Sequence, residues 1–431
     1  MALFYFKEKR TYGERFVELF WWALGVRIVF GLLRTVITDY LVPQWGVDTT
    51  NYYASAGLIA ELLFKDPRLA LEMIFQPYEE YSEAARLATG GNYFFESIRT
   101  SIVIRISVLP YILTMGSYFG ISLIVSGLSF FGSWLLYRTF FSFYPRYGRI
   151  MALACFFVPT VAFYGTNLYK DPICIYGLGL VTYHAFTMHR AGKITLYHLL
   201  GFVLGALVLN IIKGYIFAAF AVAFIIYWFA SLKLPVRTGV YHSLLKSGVI
   251  VIGGTLVISS MGLYLTLLSG RYSIDSILLR MEYLNGEESR VGGKVGSVYE
   301  LPPLSFSPDG IFRFVLASYN VSLFRPYPWE VNGMGPLILF LESFPTLLLT
   351  LFIMVRTYFF NVFIQIYKDR FLLFCFVFSF VFLTITGAFS PSFGALCRYK
   401  IPGFPFFVVI IGVVLMRQLK GELPAAQLRP A

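Results

Sequence analysis

The chain has 431 residues, of which 58% are hydrophobic and 13% charged, about half the charged share of a soluble domain. Such a chain cannot cover itself with polar surface, and its apolar residues recur in blocks of roughly 17 to 23, which excludes fibrous and disordered classes. The formal charge of +12 does not indicate nucleic acid, because Lys and Arg are scattered over short loops instead of forming one stripe.

The expected class is an all-α polytopic membrane protein with about ten to eleven transmembrane helices, one transmembrane domain over residues 1–431. Aromatics reach 19%, and many Tyr and Trp sit at block ends, where an amphipathic ring matches the headgroup layer. Cys155, Cys174, Cys375 and Cys397 form no CxxC pair, so neither a zinc or redox site nor a structural disulfide is expected.

In chain order, the first apolar block at about 16–37 follows Lys7, Lys9 and Arg10 and reads as a retained signal anchor. Further blocks lie at about 119–137, 150–167, 172–188, 197–212, 215–231, 247–269, 336–355, 371–388 and 401–416. Every second connection is basic (Arg138 to Arg149, His189 to Lys193, Lys233 to Lys246, Arg356 to Arg370, and Arg417 with Lys420), which assigns these loops and both termini to the cytoplasm. Segments 40–118 and 270–335 become large outer loops. Segment 101–118 carries Arg105 and Pro110 and is expected to be interfacial or re-entrant. No internal repeat stands out, which argues weakly against a transporter.

Chemistry is expected on the outer face, where most acidic residues fall. Asp48, in GVDTTNYY, is an acid at the water–lipid boundary, able to act as a general base or to hold a cation; the plainer role is a helix N-cap. In NLYKDP, Lys170 is a phosphate or carboxylate donor and Asp171 begins a helix, with capping beside a snorkelling lysine as the alternative. In NIIKGY, Lys213 interrupts a long apolar run beside Tyr215, and should be interfacial or paired. FRPYPWE presents Arg325, Trp329 and Glu330 on a proline-stiffened segment, either a substrate surface or an aromatic anchor. Glu342, and Arg398 beside Tyr399, lie at depths where a lone charge is costly, so they pair with each other or line a substrate cavity. The four His, at 184, 189, 198 and 242, fall near cytoplasmic loops, and no Walker, GxSxG or GxGxxG motif is present.

The early outer acid, the second acid at the next outer turn, the long loop after the seventh span and the RY..P..P pattern in CRYKIPGFP resemble the GT-C superfamily. Those are polytopic glycosyltransferases that take sugars from polyprenyl-phosphate carriers. The YKDP turn and FRPYPWE also resemble O-antigen-polymerase-like membrane proteins of bacterial envelopes. The resemblance implies Asp48 as catalytic base or metal-binding acid, Asp171 as its partner, and Lys170, Lys213 and Arg398 as phosphate holders. The first outer acid stands alone here, without the paired acids many members show, so a divalent cation is a possible cofactor and not a required one. The partners implied are a polyprenyl-phosphate-linked sugar, a glycan or lipid acceptor and membrane lipids in a bacterial inner membrane, with no nucleic acid. The alternatives are a polymerase of lipid-linked repeat units and a transporter or flippase.

Overall fold

The structure is a computed structural model that describes residues 14–41, 47–232 and 299–421, apart from 306, 358 and 391. The span expected at 247–269, the basic loop from Lys233 to Lys246, His242 and most of segment 270–335 lie outside the described residues. Every regular element among the described residues is helical, and the chain divides into two compact units: residues 1–139 with 155–213, and 140–154 with 214–431.

In the first unit, α1 (Glu14–Val36) runs into a π-turn at Ile37–Leu41, followed by α2 (Val47–Lys65), α3 (Pro67–Phe75), α4 (Glu83–Ala88) and α5 (Ile98–Leu113). Local chemistry sets these boundaries: Asp66 accepts a hydrogen bond from Leu69 N and is followed by Pro67, the arrangement that starts α3. Helix α5, which packs along α2, has 16 residues and is therefore about 24 Å long, short of a roughly 30 Å hydrocarbon core.

Helix α6 (Tyr118–Phe143) begins in this unit. Its inner face carries Phe130 and Trp134, which pack edge-on against Phe20 of α1, and Phe156 closes the cluster. The block at 150–167 was expected to be one span. Instead it forms α7 (Gly148–Ala152), a π-turn at Leu153–Phe157 and α8 (Pro159–Tyr164), because Pro159 cannot continue a preceding helix.

Helix α9 (Lys170–Ala191) stops at Gly192, whose left-handed φ of 60° suits glycine. It crosses α6 where Gly132 meets Gly179, so closely that a Cβ on either would run into the other helix's backbone. Helix α10 (Leu196–Ser231) returns alongside α9, with Gly205 against Gly177 and Gly201 under the ring of His184. Its helical geometry is interrupted at Lys213 (φ −145°, ψ 75°), the last residue of this unit.

The second unit takes up the rest of α10, then α11 (Pro308–Phe324), α12 (Met334–Thr357), α13 (Phe359–Lys368), α14 (Arg370–Phe389), α15 (Phe393–Tyr399) and α16 (Phe404–Leu419). Helix α14 presents Phe374, Phe378 and Phe382 at one-turn spacing in a stacked column, against which Phe406 of α16 packs. Asp369 caps α14 by accepting from Phe371 N and Leu372 N, and also accepts from Arg417 Nη2 at 2.6 Å.

Among the described residues, five helices are long and apolar enough to cross a membrane: α1, α6, α10, α12 and α14. The pair α15 and α16, bent by 74° at the 400–403 break, makes a sixth when counted as one broken span.

Candidate functional site

The NLYKDP segment lies between α8 and α9 and is held from three sides. A helix end leaves carbonyls without intrahelical donors, and here α1 supplies the donors from two arginines spaced two turns apart. Arg27 Nη1 donates to Val161 O (2.8 Å) and Gly165 O (3.0 Å), while its Nη2 donates to Ser133 Oγ (2.9 Å). Arg34 Nη1 donates to Tyr164 O (2.8 Å) and Thr166 O (2.7 Å), and its guanidinium lies 4.0 Å from the ring centre of Tyr169. Both arginines are buried. Their charge is tolerated in an apolar segment because the fork of donors meets carbonyls and a ring face.

Asn167 turns the chain through the left-handed region at φ 68°, a conformation that asparagine accepts better than most residues. Its N–H donates to Ser126 Oγ (3.0 Å), and its Oδ1 accepts from Ser122 Oγ (2.7 Å) and Leu168 N (2.6 Å). From residue 160 to 175 every residue is buried except Lys170, which is half-buried.

Asp171 follows in the first turn of α9, where a carboxylate complements the helix dipole, and it is paired with the Lys213 ammonium at 2.5 Å. Both side chains are almost fully enclosed. Lys213 was expected to be interfacial or paired, and it is paired, with Asp171. The break in α10 gives Lys213 a non-helical backbone at the position where it reaches α9. Asp48 sits half-buried in the first turn of α2. Lys170 adjoins the Asp171–Lys213 pair, and the charges of Lys213, Asp48 and Asp171 all act on it.

The other expected residues belong to the second unit. Arg325 Nε meets both Glu330 oxygens at 3.0 and 3.1 Å, and Arg325 Nη2 also contacts Glu330 Oε1. Tyr327 N donates to Glu330 Oε2 at 2.8 Å. Burial alone raises the Glu330 carboxyl, but the Arg325 bond and the Tyr327 N–H bring it below the ordinary value. Trp329 is 78% exposed at the tip of this loop, its ring centre 5.2 Å from that of Tyr327.

Glu342 is paired with Lys400 at 2.7 Å, and Lys400 also donates to Ser343 Oγ at 3.2 Å; the turn after α15 puts Lys400 inward. The Arg398 guanidinium lies 5.9 Å from the ring centre of Tyr399, both residues half-buried. Tyr215 stacks on Phe382 at 5.8 Å.

Arg27, Arg34, Asn167 and Lys400 were not singled out from the sequence. The signal for the first two is their spacing, which places both on one buried face of an otherwise apolar segment. For a divalent cation the donor set is poor: Asp171 is committed to Lys213, and among the described residues no three of His, Cys, Asp and Glu gather to hold a metal. His184 and His198 face each other, Nδ1 to Nδ1 at 2.8 Å, where α9 and α10 meet.

Length, hydropathy and these enclosed charges define a helical multi-pass membrane protein. No protein-family model, no curated protein and no solved structure matches the chain.

Proposed function

We propose that the chain is a membrane glycosyltransferase that moves a sugar from a polyprenyl-phosphate carrier to a glycan or lipid acceptor at the outer leaflet of a bacterial inner membrane. The observation that carries this reading is Lys170, which emerges from a buried turn beside the Asp171–Lys213 pair, with the charge of Asp48 acting on it. An ammonium group at the end of an apolar helix suits a lipid-borne phosphate, and a half-exposed carboxylate suits a hydroxyl acceptor.

In this reaction the acceptor oxygen bonds to the anomeric carbon as its proton passes to Asp48. The bond from that carbon to the phosphate oxygen breaks, and the phosphate leaves with the electron pair, its charge met by Lys170. In-line attack inverts the sugar carbon. The topology that goes with this reading has ten spans, the even number that leaves both termini in the cytoplasm. Its length argument is α10: 36 residues make about 54 Å of helix, too long for one roughly 30 Å crossing, and the break at Lys213 divides it.

The test is sugar transfer by purified, reconstituted protein. Asp48→Asn keeps size and much of any capping ability while removing the base, so turnover should fall on the order of a hundredfold with unchanged thermal stability. Full activity in a folded Asp48→Asn protein sinks the base assignment. With activity lost in Lys170→Ala instead, the reading moves to a polymerase of lipid-linked repeat units, in which the two ammonium groups hold a pyrophosphate. Movement of labelled carrier across the bilayer with no new glycosidic bond would assign a flippase.

A further inference from the structure

Lys170 is presented by a turn whose every other residue is buried, and that turn departs from regular structure at Asn167. A left-handed residue and a helix end with unmet carbonyls persist only where their surroundings over-determine them. The surroundings here include one side chain that reaches both sides of the departure. Arg34 donates from a single nitrogen to the carbonyls of Tyr164 and Thr166, immediately before Asn167, and its planar face lies over Tyr169, immediately before Lys170. It is buried, so a ligand meeting Lys170 does not meet Arg34.

We propose that Arg34 is a positioning residue for Lys170, fixing the height and direction of the ammonium group through two carbonyls and one aromatic ring while touching no substrate. The inference rests on the reading above in that Lys170 is taken to hold a phosphate. Neither a lysine nor an aliphatic residue substitutes for it. A lysine keeps the charge but loses the flat face that stacks over Tyr169 and, with it, the fixed direction of the nitrogen that addresses both carbonyls. Arg27 supports the same turn from its far end, at Val161 and Gly165, and Asp171 is fixed by Lys213, so Lys170 is flanked by clamped residues.

The test uses full-length protein in lipid nanodiscs and two readouts. One is affinity for a long-chain polyprenyl monophosphate. The other is the rate at which Lys170 is acylated by an amine-directed reagent, read by mass spectrometry against the exposed Lys65. In Arg34→Lys we expect about a tenfold loss of affinity, a severalfold change in Lys170 labelling and an unchanged rate at Lys65. Because Arg34 acts through Lys170, adding Arg34→Lys to Lys170→Met should cost no further affinity. Tyr169→Leu, which removes the ring without stranding a charge, should shift Lys170 labelling in the same direction and serves where Arg34→Lys fails to fold.

Additive losses in the double variant would mean that Arg34 meets the ligand itself and would overturn the proposal. Unchanged Lys170 labelling in both folded variants overturns it as well. Wild-type protein that binds no polyprenyl phosphate removes the functional reading instead, and Lys170 labelling then still decides the positioning role.

Discussion

Among the described residues Asp171 with Lys213 and Glu342 with Lys400 are enclosed ion pairs, and in such a pair removal of one partner is worse than removal of both. Asp171→Asn leaves the Lys213 ammonium enclosed without its carboxylate and should destabilise by about 3–5 kcal/mol, whereas Asp171→Asn with Lys213→Met should recover most of the loss. Unfolding in graded denaturing detergent measures both, together with Lys213→Met alone; a double-variant loss equal to the sum of the two single losses would show that the pair does not couple. The same logic applies to Glu342→Gln, which strands Lys400. At the exposed loop the effect is one of pH. The Glu330 carboxyl is held low in the folded protein, so its contribution to stability is complete above the ordinary carboxylate value and disappears as pH falls through the lowered one. Glu330→Gln should therefore flatten the acid limb of a stability–pH curve. Lys170, Asp171 and Lys213 were legible in the sequence because each interrupts or borders an apolar run. Lys400 was not, since in CRYKIP the arginine draws attention first and only the turn after α15 decides which cation points inward. Arg34 was hidden by its position at the end of an anchor, where snorkelling is a sufficient account.

Helices α9 and α10 lie antiparallel in a fixed register, shown by three contacts along their length: Asp171 with Lys213, Gly177 with Gly205, and His184 with His198. The glycines matter because they let backbones approach where a side chain would separate them. Gly179→Val, facing Gly132 of α6, should cost at least the roughly 1–3 kcal/mol typical of overpacking, and should reduce phosphate-lipid binding by moving the start of α9. A folded Gly179→Val protein of normal stability would contradict the close crossing. Most long helices were legible from apolar length alone. The break within 150–167 has a physical cause: hydropathy sums over a window and cannot see that Pro159, and the π-turn that ends two residues before it, divide the run into pieces. Nor does hydropathy show that 401–416 joins a short preceding helix at a 74° bend.

At the scale of the molecule, the alternation of basic loops predicts that Arg138 to Arg149 are protected from a membrane-impermeant label while residues 66–96 react from outside. Labelling of the 138–149 loop from outside would invert the map and with it the side on which Lys170 works. The two units have separate cores, yet the charged cluster of the first draws on residues far apart in the chain, and that separation has a consequence for biogenesis. Arg27 and Arg34 find their carbonyl partners 130 to 138 residues later in the sequence. While α1 is leaving the ribosome, residues 161–166 do not yet exist, and each arginine costs roughly 3 kcal/mol to insert alone. Helix α1 should therefore dwell at the translocon or slip back until α8 arrives. A nascent chain truncated before residue 159 should insert α1 poorly in a glycosylation-mapping assay, and Arg27→Leu with Arg34→Leu should insert it at once; efficient insertion of the unaltered truncated chain would show that lipid and water, not the later segment, first accommodate the two guanidinium groups.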